Sequence, residues 1–113
     1  MGIKSEHEIQ KQIQLNLSAN QCTVFRANVG KVLMKDGRWF DTGLPKGFPD
    51  LVGFRWIDNQ IFFIEVKSAT GKPRPEQIRF HNMLQKRKIV HGIARSADDA
   101  LKIVKEGLVG YGY

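Results

Sequence analysis

Along residues 5–17 the apolar side chains Ile9, Ile13 and Leu17 recur every four positions. That spacing predicts a helix with one buried stripe. Ser5 suits its N-cap, and Glu6 and Glu8 fall in the first turn, where the helix dipole favours acids. Ser18 to Gln21 end it. The period then drops to two, and Thr23–Asn28 predicts a strand, broken at Gly30. Val32, Met34, Trp39 and Phe40 flank Asp36-Gly37, a turn dipeptide, and predict a short irregular hairpin. Gly43, Pro45 and Gly47 predict a sharply bent loop. Two strands follow, Leu51–Trp56 and Gln60–Lys67, joined by a turn at Asp58-Asn59.

In the second of these, Phe62, Ile64 and Val66 share one side, and Ile61 and Phe63 the other. Apolar residues on both faces mark a central strand. Glu65 and Lys67 continue the Ile61/Phe63 side, so two charges stand where that apolar face ends. Pro75 suits the first position of a helix to about Arg87, with Phe80, Met83 and Leu84 inward and Gln77 on the same stripe. Ile89–Ala94 predicts a last strand. Ser96 caps a final helix with Asp98 and Asp99 in its first turn, Ala97, Ala100, Leu101 and Val104 inward, and Gly107 as its stop. The tail, Gly110 to Tyr113, is expected to be mobile or held by a partner. The order is α-β-β-β-α-β-α, an α/β fold in which helices flank a mixed β-sheet. Trp39 and Trp56 are expected in the core.

Composition narrows the class. A chain of 113 residues, 42% hydrophobic and 26% charged, is expected to form one globular domain over residues 1–113. No apolar run approaches the ~20 residues of a membrane span. Met1 to Gln14 is polar and helical in pattern, without the apolar core of a signal peptide. A cytosolic location is the default expectation. Cys22, the single cysteine, has no disulfide partner within the chain and is expected as a buried small hydrophobe. The net charge of +7, from 18 Lys and Arg against 11 Asp and Glu, points to an anionic partner, nucleic acid before an acidic membrane surface. Its distribution sharpens this: Lys67 to Lys88 holds seven basic residues and one acid, Glu76.

The stretch Gly47-Phe48-Pro49-Asp50, then Ile64-Glu65-Val66-Lys67, carries the candidate chemistry. Hydrolysis of a phosphodiester needs the phosphate neutralised, a water deprotonated and the leaving oxygen stabilised. A hard divalent ion on carboxylates serves these needs. Asp50 and Glu65 supply two carboxylates from adjacent strands, and the Val66 carbonyl a third oxygen. Lys67, two residues from Glu65 on one strand face, points to the same place. There it can orient the water or stabilise the transition state, and beside two acids it is expected to stay protonated without a metal. Helical phase turns Glu6 inward with Ile9 and Glu8 toward solvent, which favours Glu6 as an outer acid or the ligand of a second ion. Gln77 can hydrogen-bond the attacking water or Lys67. Singly, each residue has a plainer reading. Pro-Asp is often just a turn, Glu-x-Lys a solvated strand face, Glu6 a dipole acid, and Gln77 an exposed helix start. His7, His81 and His91 lack metal spacing and read as surface or packing residues. The joint occurrence is what carries weight.

That ordered set resembles a known family. Gly47-Phe-Pro-Asp50, fourteen residues, then Glu65-Val-Lys67 is similar to the PD-(D/E)XK nuclease pattern. With Glu6-His-Glu-Ile-Gln, Val24-Phe-Arg-Ala-Asn28, Phe63-Ile-Glu-Val-Lys, Pro75-Glu-Gln77 and Val90-His-Gly-Ile-Ala-Arg95, nearly the whole chain resembles the virus-type replication-repair (VRR-NUC) family. The resemblance implies a restriction-endonuclease-like core, Mg²⁺ or Mn²⁺ dependence and DNA backbone cleavage. Compact phage members resemble Holliday-junction resolvases and act as homodimers. By resemblance, Asp50 and Glu65 are metal ligands, Lys67 is catalytic, Gln77 is the helix glutamine, and either Glu6 or Glu8 the helix acid. Arg26, Asn28, Lys46, Lys72, Arg74 and Arg79 are the candidate DNA contacts. His91 and Gly92 depart from the Val-rich strand expected of the family. The expected function is structure-selective cleavage of branched DNA, in the host cytoplasm if phage-encoded. A flap- or restriction-type nuclease and a non-catalytic DNA-binding module are the alternatives.

Overall fold

The computed structural model describes residues 3–113; Met1 and Gly2, the start of the polar N-terminal stretch, lie outside the described residues. Helix α1 (Glu6–Ala19) starts on Ser5, whose side chain accepts from the Glu8 N–H, and buries Ile9, Ile13 and Leu17 as the spacing predicts. Strand β1 (Cys22–Arg26) follows, with Cys22 buried. The hairpin β2 (Lys31–Leu33) and β3 (Trp39–Asp41) pairs only with itself. Strands β4 (Leu51–Arg55) and β5 (Gln60–Val66) lead to helix α2 (Pro75–Lys86). Strand β6 (Val90–Ala94), helix α3 (Ala97–Glu106) and strand β7 (Val109–Tyr111) complete the chain.

The sheet runs β1-β4-β5-β6-β7. β1, β4 and β5 are antiparallel, and β5, β6 and β7 are parallel. It is thus the mixed sheet flanked by helices that the pattern predicts, with β5 at its centre. Side-chain alternation divides β5 cleanly. Phe62, Ile64 and Val66 are at most 1% exposed and join Ile9, Ile13, Leu17, Leu51, Ile103 and Val104 in the main core. That inner face is covered by α1 and α3; the outer face, with Phe63 and Glu65, is covered in part by α2.

Three expectations fail. The tail is not loose: Val109–Tyr111 adds a fifth strand beside β6, and Tyr113 is stacked on His81. Gly92 answers the question raised by the His91-Gly92 pair. A Cβ there would stand 2.7 Å from Ile103 Cδ1 and 2.8 Å from the Tyr111 carbonyl, so β7 and α3 require its absence. The tryptophans are not core residues. Trp39 is 66% exposed because its hairpin packs on no sheet, and Trp56, 54% exposed, follows β4 and hydrogen-bonds Thr23 Oγ1. Met83 is exposed as well, whereas Ile103, absent from the expected stripe of α3, is fully buried.

Candidate active site

The β4–β5 ladder pairs Leu51 with Ile64 and Val52 with Phe63. Extended by one step, it sets Asp50 opposite Glu65, both on the outer face. The loop before Asp50 delivers it there by close packing. Gly47 has φ +90, and a Cβ on it would stand 2.2 Å from the Glu76 carbonyl of α2. Only glycine permits that backbone conformation and that approach. Phe48 meets Phe63 and Phe80 edge-on, at 5.8 and 5.2 Å between ring centres. Asp50 is then fixed at both ends: its carbonyl accepts from Ala27 N–H, and Oδ2 accepts from Val66 N–H at 2.8 Å. The carbonyl of a strand residue leaves the backbone on the same edge as its N–H, so that of Val66 also faces the Asp50 side.

Glu65 is 2% exposed. Gln77 Nε2 donates to its Oε1 at 3.0 Å, and Lys67 Nζ stands 3.8 Å from the same oxygen. Its Oε2 is the one buried side-chain polar atom without a hydrogen-bond partner among the described residues. The neighbouring Asp50 carboxyl is another acceptor, so the two share a hydrogen bond only when one is protonated. Burial first, then the Asp50 charge, pushes Glu65 up to about 9. Two carboxyls held together in a dry place resist double ionisation in this way.

Lys67, 6% exposed, sits beside them. The loop after it is fastened by Arg95, whose Nη1 donates to the carbonyls of Ser68 and Gly71. Glu6 Oε1 and Lys67 Cδ lie 3.3 and 3.4 Å from the point where a Cβ on Gly71 would stand. Glu6, and not Glu8, adds to the negative field at Glu65. Gln77 bonds neither Lys67 nor a free position. Its Oε1 accepts from Arg74 N–H, closing the start of α2, and its Nε2 is committed to Glu65. A buried amide three residues into a helix finds the nearest unsatisfied groups, here the helix's own N-terminus and a carboxylate.

The structure therefore brings Asp50, Glu65, Lys67 and Gln77 together. Glu6 stands at the margin, exposed to solvent rather than turned inward with Ile9 as helical phase predicts, because it lies in the first turn of α1, ahead of the buried stripe. Among the described residues no group of three His, Cys, Asp or Glu side chains is close enough to hold an ion unaided. The donor set nonetheless fits a hard divalent cation. Two carboxylates converge, and one buried oxygen lacks the donor that every buried acceptor needs.

Of the candidate DNA contacts, Arg26, Asn28, Lys46, Lys72, Arg74 and Arg79 are all exposed. Lys46 and Arg79 line one hollow with Phe80 and Glu76; Arg26 lines another with His7, Lys11 and Gln14 of α1. Arg74 is partly engaged by Glu76 at 3.6 Å. Nothing in the sequence singles out Tyr113, yet burial first and then the charges of Glu65 and Asp50 push its phenol up. Its signal in the sequence is faint: one of two tyrosines alternating with glycines. None of the helices of the described residues is long and apolar enough to cross a membrane.

The VRR-NUC domain profile matches residues 5–98, and the chain belongs to that family. A solved structure of a VRR-NUC domain superposes with a TM-score of 0.66, covering 93% of this chain and 100% of the other, at 23% identity. That likeness shows the fold, consistent with a restriction-endonuclease-like core. A search of the curated proteins gives no significant match. The VRR-NUC domain implies a nuclease of the PD-(D/E)XK type, with DNA as its substrate.

Proposed function

We propose that residues 1–113 act as a single-domain, Mg²⁺- or Mn²⁺-dependent endodeoxyribonuclease. Its substrate is branched DNA, the four-way junction first, and it works as a homodimer in the cytoplasm. The observation that carries the metal-dependent reading is the buried, unpartnered Glu65 Oε2 beside Asp50. Asp50, Glu65 and the Val66 carbonyl would hold the ion, with Glu6 as outer acid. When bound, the ion neutralises phosphate charge and lowers the pKa of water. Lys67 places a compact positive charge where negative charge grows on the phosphorus oxygens. Gln77 keeps the Glu65 carboxylate in one orientation. The hollows of Lys46/Arg79 and Arg26/Lys11 offer cations on two sides of the site, contacts that position a backbone without reading bases.

Two strands of a junction need two sites, and a pair of copies is the simplest route to them. Exposed apolar surface supports this. Phe25, Phe54 and Ile61 leave the β1/β4 half of the outer face uncovered around a hollow of about 480 Å³, and Trp39 and Phe40 stand out on the hairpin. Aromatic side chains present about 150–250 Å² each. With Trp56, the five aromatics are 36–66% exposed, which leaves roughly 500 Å² of aromatic surface in water. Aliphatic neighbours bring this toward the ~800 Å² per partner of a stable interface.

A labelled four-way junction with Mg²⁺ tests the proposal, run beside flap and linear duplex. Paired symmetric nicks in the junction are expected. Preference for the flap or duplex would replace the substrate, and no cleavage with any divalent metal would overturn the enzyme reading.

A further inference from the structure

Strand β7 lies beyond residues 5–98, the span shared with the family. From it the chain crosses the outer face close to the site. Gly112, at φ +83, runs so near the sheet that a Cβ would stand 3.1 Å from Ile93 Cβ. Ile93 is the partner of Glu65 in β6. The chain then places the Tyr113 ring on His81, with centres 3.9 Å apart and planes 9° from parallel.

His81 is itself tied down. Its Nδ1 is 2.8 Å from His91 Nε2, and His91 Nδ1 is 2.7 Å from the Ile89 carbonyl. A carbonyl only accepts, so His91 Nδ1–H donates to it. His91 Nε2 then accepts from His81 Nδ1–H. Burial disfavours the charged form of both rings, in keeping with this neutral chain. It fastens α2 to His91 of β6 and to the backbone just before that strand, and Tyr113 closes it from the other side.

The position of α2 depends on such contacts. Only Gln77 and Leu84 of its side chains are fully buried, and its main contacts with the sheet are with β6 and β7. His81 is one helical turn after Gln77, on the same face. We propose that Tyr113 is a positioning residue of the cleavage site: its stack on His81 locks the first two turns of α2 and so holds Gln77 on Glu65. The bond from Gln77 keeps Glu65 Oε1 occupied and leaves Oε2 as the free oxygen. This inference rests on the reading of Asp50 and Glu65 as the active site.

The test uses the full chain and the variants Tyr113→Phe, Tyr113→Leu and Tyr113→Ala. Phe keeps the flat ring, Leu keeps bulk without it, and Ala keeps neither. Junction cleavage should be normal in Phe. In Leu and Ala kcat should fall by about 10–100-fold, as for lost supporting partners of a ligand, with KM for DNA unchanged. In a Gln77→Ala background the Tyr113→Ala change should add nothing, because both act through one bond. Additive losses, or a Phe variant as impaired as Ala, would overturn the proposal. Hydrogen exchange separates it from the nuclease reading. Tyr113→Leu should speed exchange in the first turns of α2 and leave α1 and α3 protected. Were the parent chain inactive, faster exchange there would still support the docking role, and unchanged exchange would end it.

Discussion

The two faces of β5 are made by the same seven residues and do opposite things. On the inner face Phe62, Ile64 and Val66 are sealed by α1 and α3 and carry no polar atom beyond the backbone. On the outer face Phe63 gives way to Glu65, a buried carboxyl with one oxygen unpartnered, followed by Lys67. Burying such groups costs stability that an apolar residue would not. The inner face offsets this cost. Because the division follows strict alternation along one strand, each side can be altered with little effect on the other.

The sharpest separation comes from the outer face. Asp50→Ala and Lys67→Ala should each lower junction cleavage by about 10³-fold or more, in the range of lost electrostatic stabilisation. DNA binding, measured by gel shift in Ca²⁺ or without metal, should remain. Glu65→Gln should be equally inactive yet melt higher than the parent in metal-free buffer at neutral pH, since it removes a carboxyl that resists ionisation. Were these variants to unfold instead, the two faces would not be independent. The inner face should give the reverse. Phe62→Ala should cost about 3–5 kcal/mol in urea denaturation, with Phe63→Ala, half-buried on the other side, costing clearly less.

This division was largely legible from the chain. Ile9, Ile13 and Leu17, the caps Ser5 and Ser96, the stop at Gly107 with φ +63, and the alternation through Glu65 are all local patterns, and each recurs in the fold. The convergence of Asp50 with Glu65 was legible because a hairpin register relates two near segments. What could not be read depends on distant partners. Strand β7 has three residues, and its neighbour β6 is parallel, so no turn links them. Glycines around Tyr111 suggested a loose end; Gly110 and Gly112, both at positive φ, instead let the chain run flush on the sheet. Trp39 and Trp56 depart from the usual burial of tryptophan because Trp39 stands on a hairpin that pairs only with itself and Trp56 follows β4 at an end of the sheet left open to solvent. The commitment of Gln77 to Glu65, rather than to Lys67 or water, is likewise a matter of angstroms that periodicity does not carry.

The charge on the outer face gives a smaller, graded effect. Glu65 is raised from an ordinary 4.5 to about 9, so the folded chain holds a proton that the unfolded chain has released. Its contribution to stability is complete below about pH 4.5 and is lost as pH rises through about 9. The melting temperature without metal should therefore fall across that window, and fall less in Glu65→Gln. A divalent ion must displace the same proton, so Mn²⁺ affinity should rise by up to about tenfold per pH unit over the window, measured by calorimetry. A flat pH dependence of both quantities would mean that Glu65 is already ionised in the free chain.

The smallest effect on the fold is expected at the aromatics left bare on the outer face and on the β2/β3 hairpin. Phe25 and Trp39 are 59% and 66% exposed and fill no cavity of their own chain, so Phe25→Ser and Trp39→Ser should change urea stability by no more than about 0.5 kcal/mol under conditions where the chain is monomeric. The effect on assembly should be out of proportion to this. Each change removes a large apolar side chain from the surface proposed to meet a second copy, and aromatic anchors carry much of the energy of such contacts. Sedimentation should show the parent as a dimer and the double variant as a monomer. Junction cleavage should change in kind: single nicks on one strand persist, because Asp50, Glu65 and Lys67 are untouched, while paired nicks within one binding event disappear. A double variant that stays dimeric and still cuts in pairs would leave these aromatics without an interface role and move the second site to another surface.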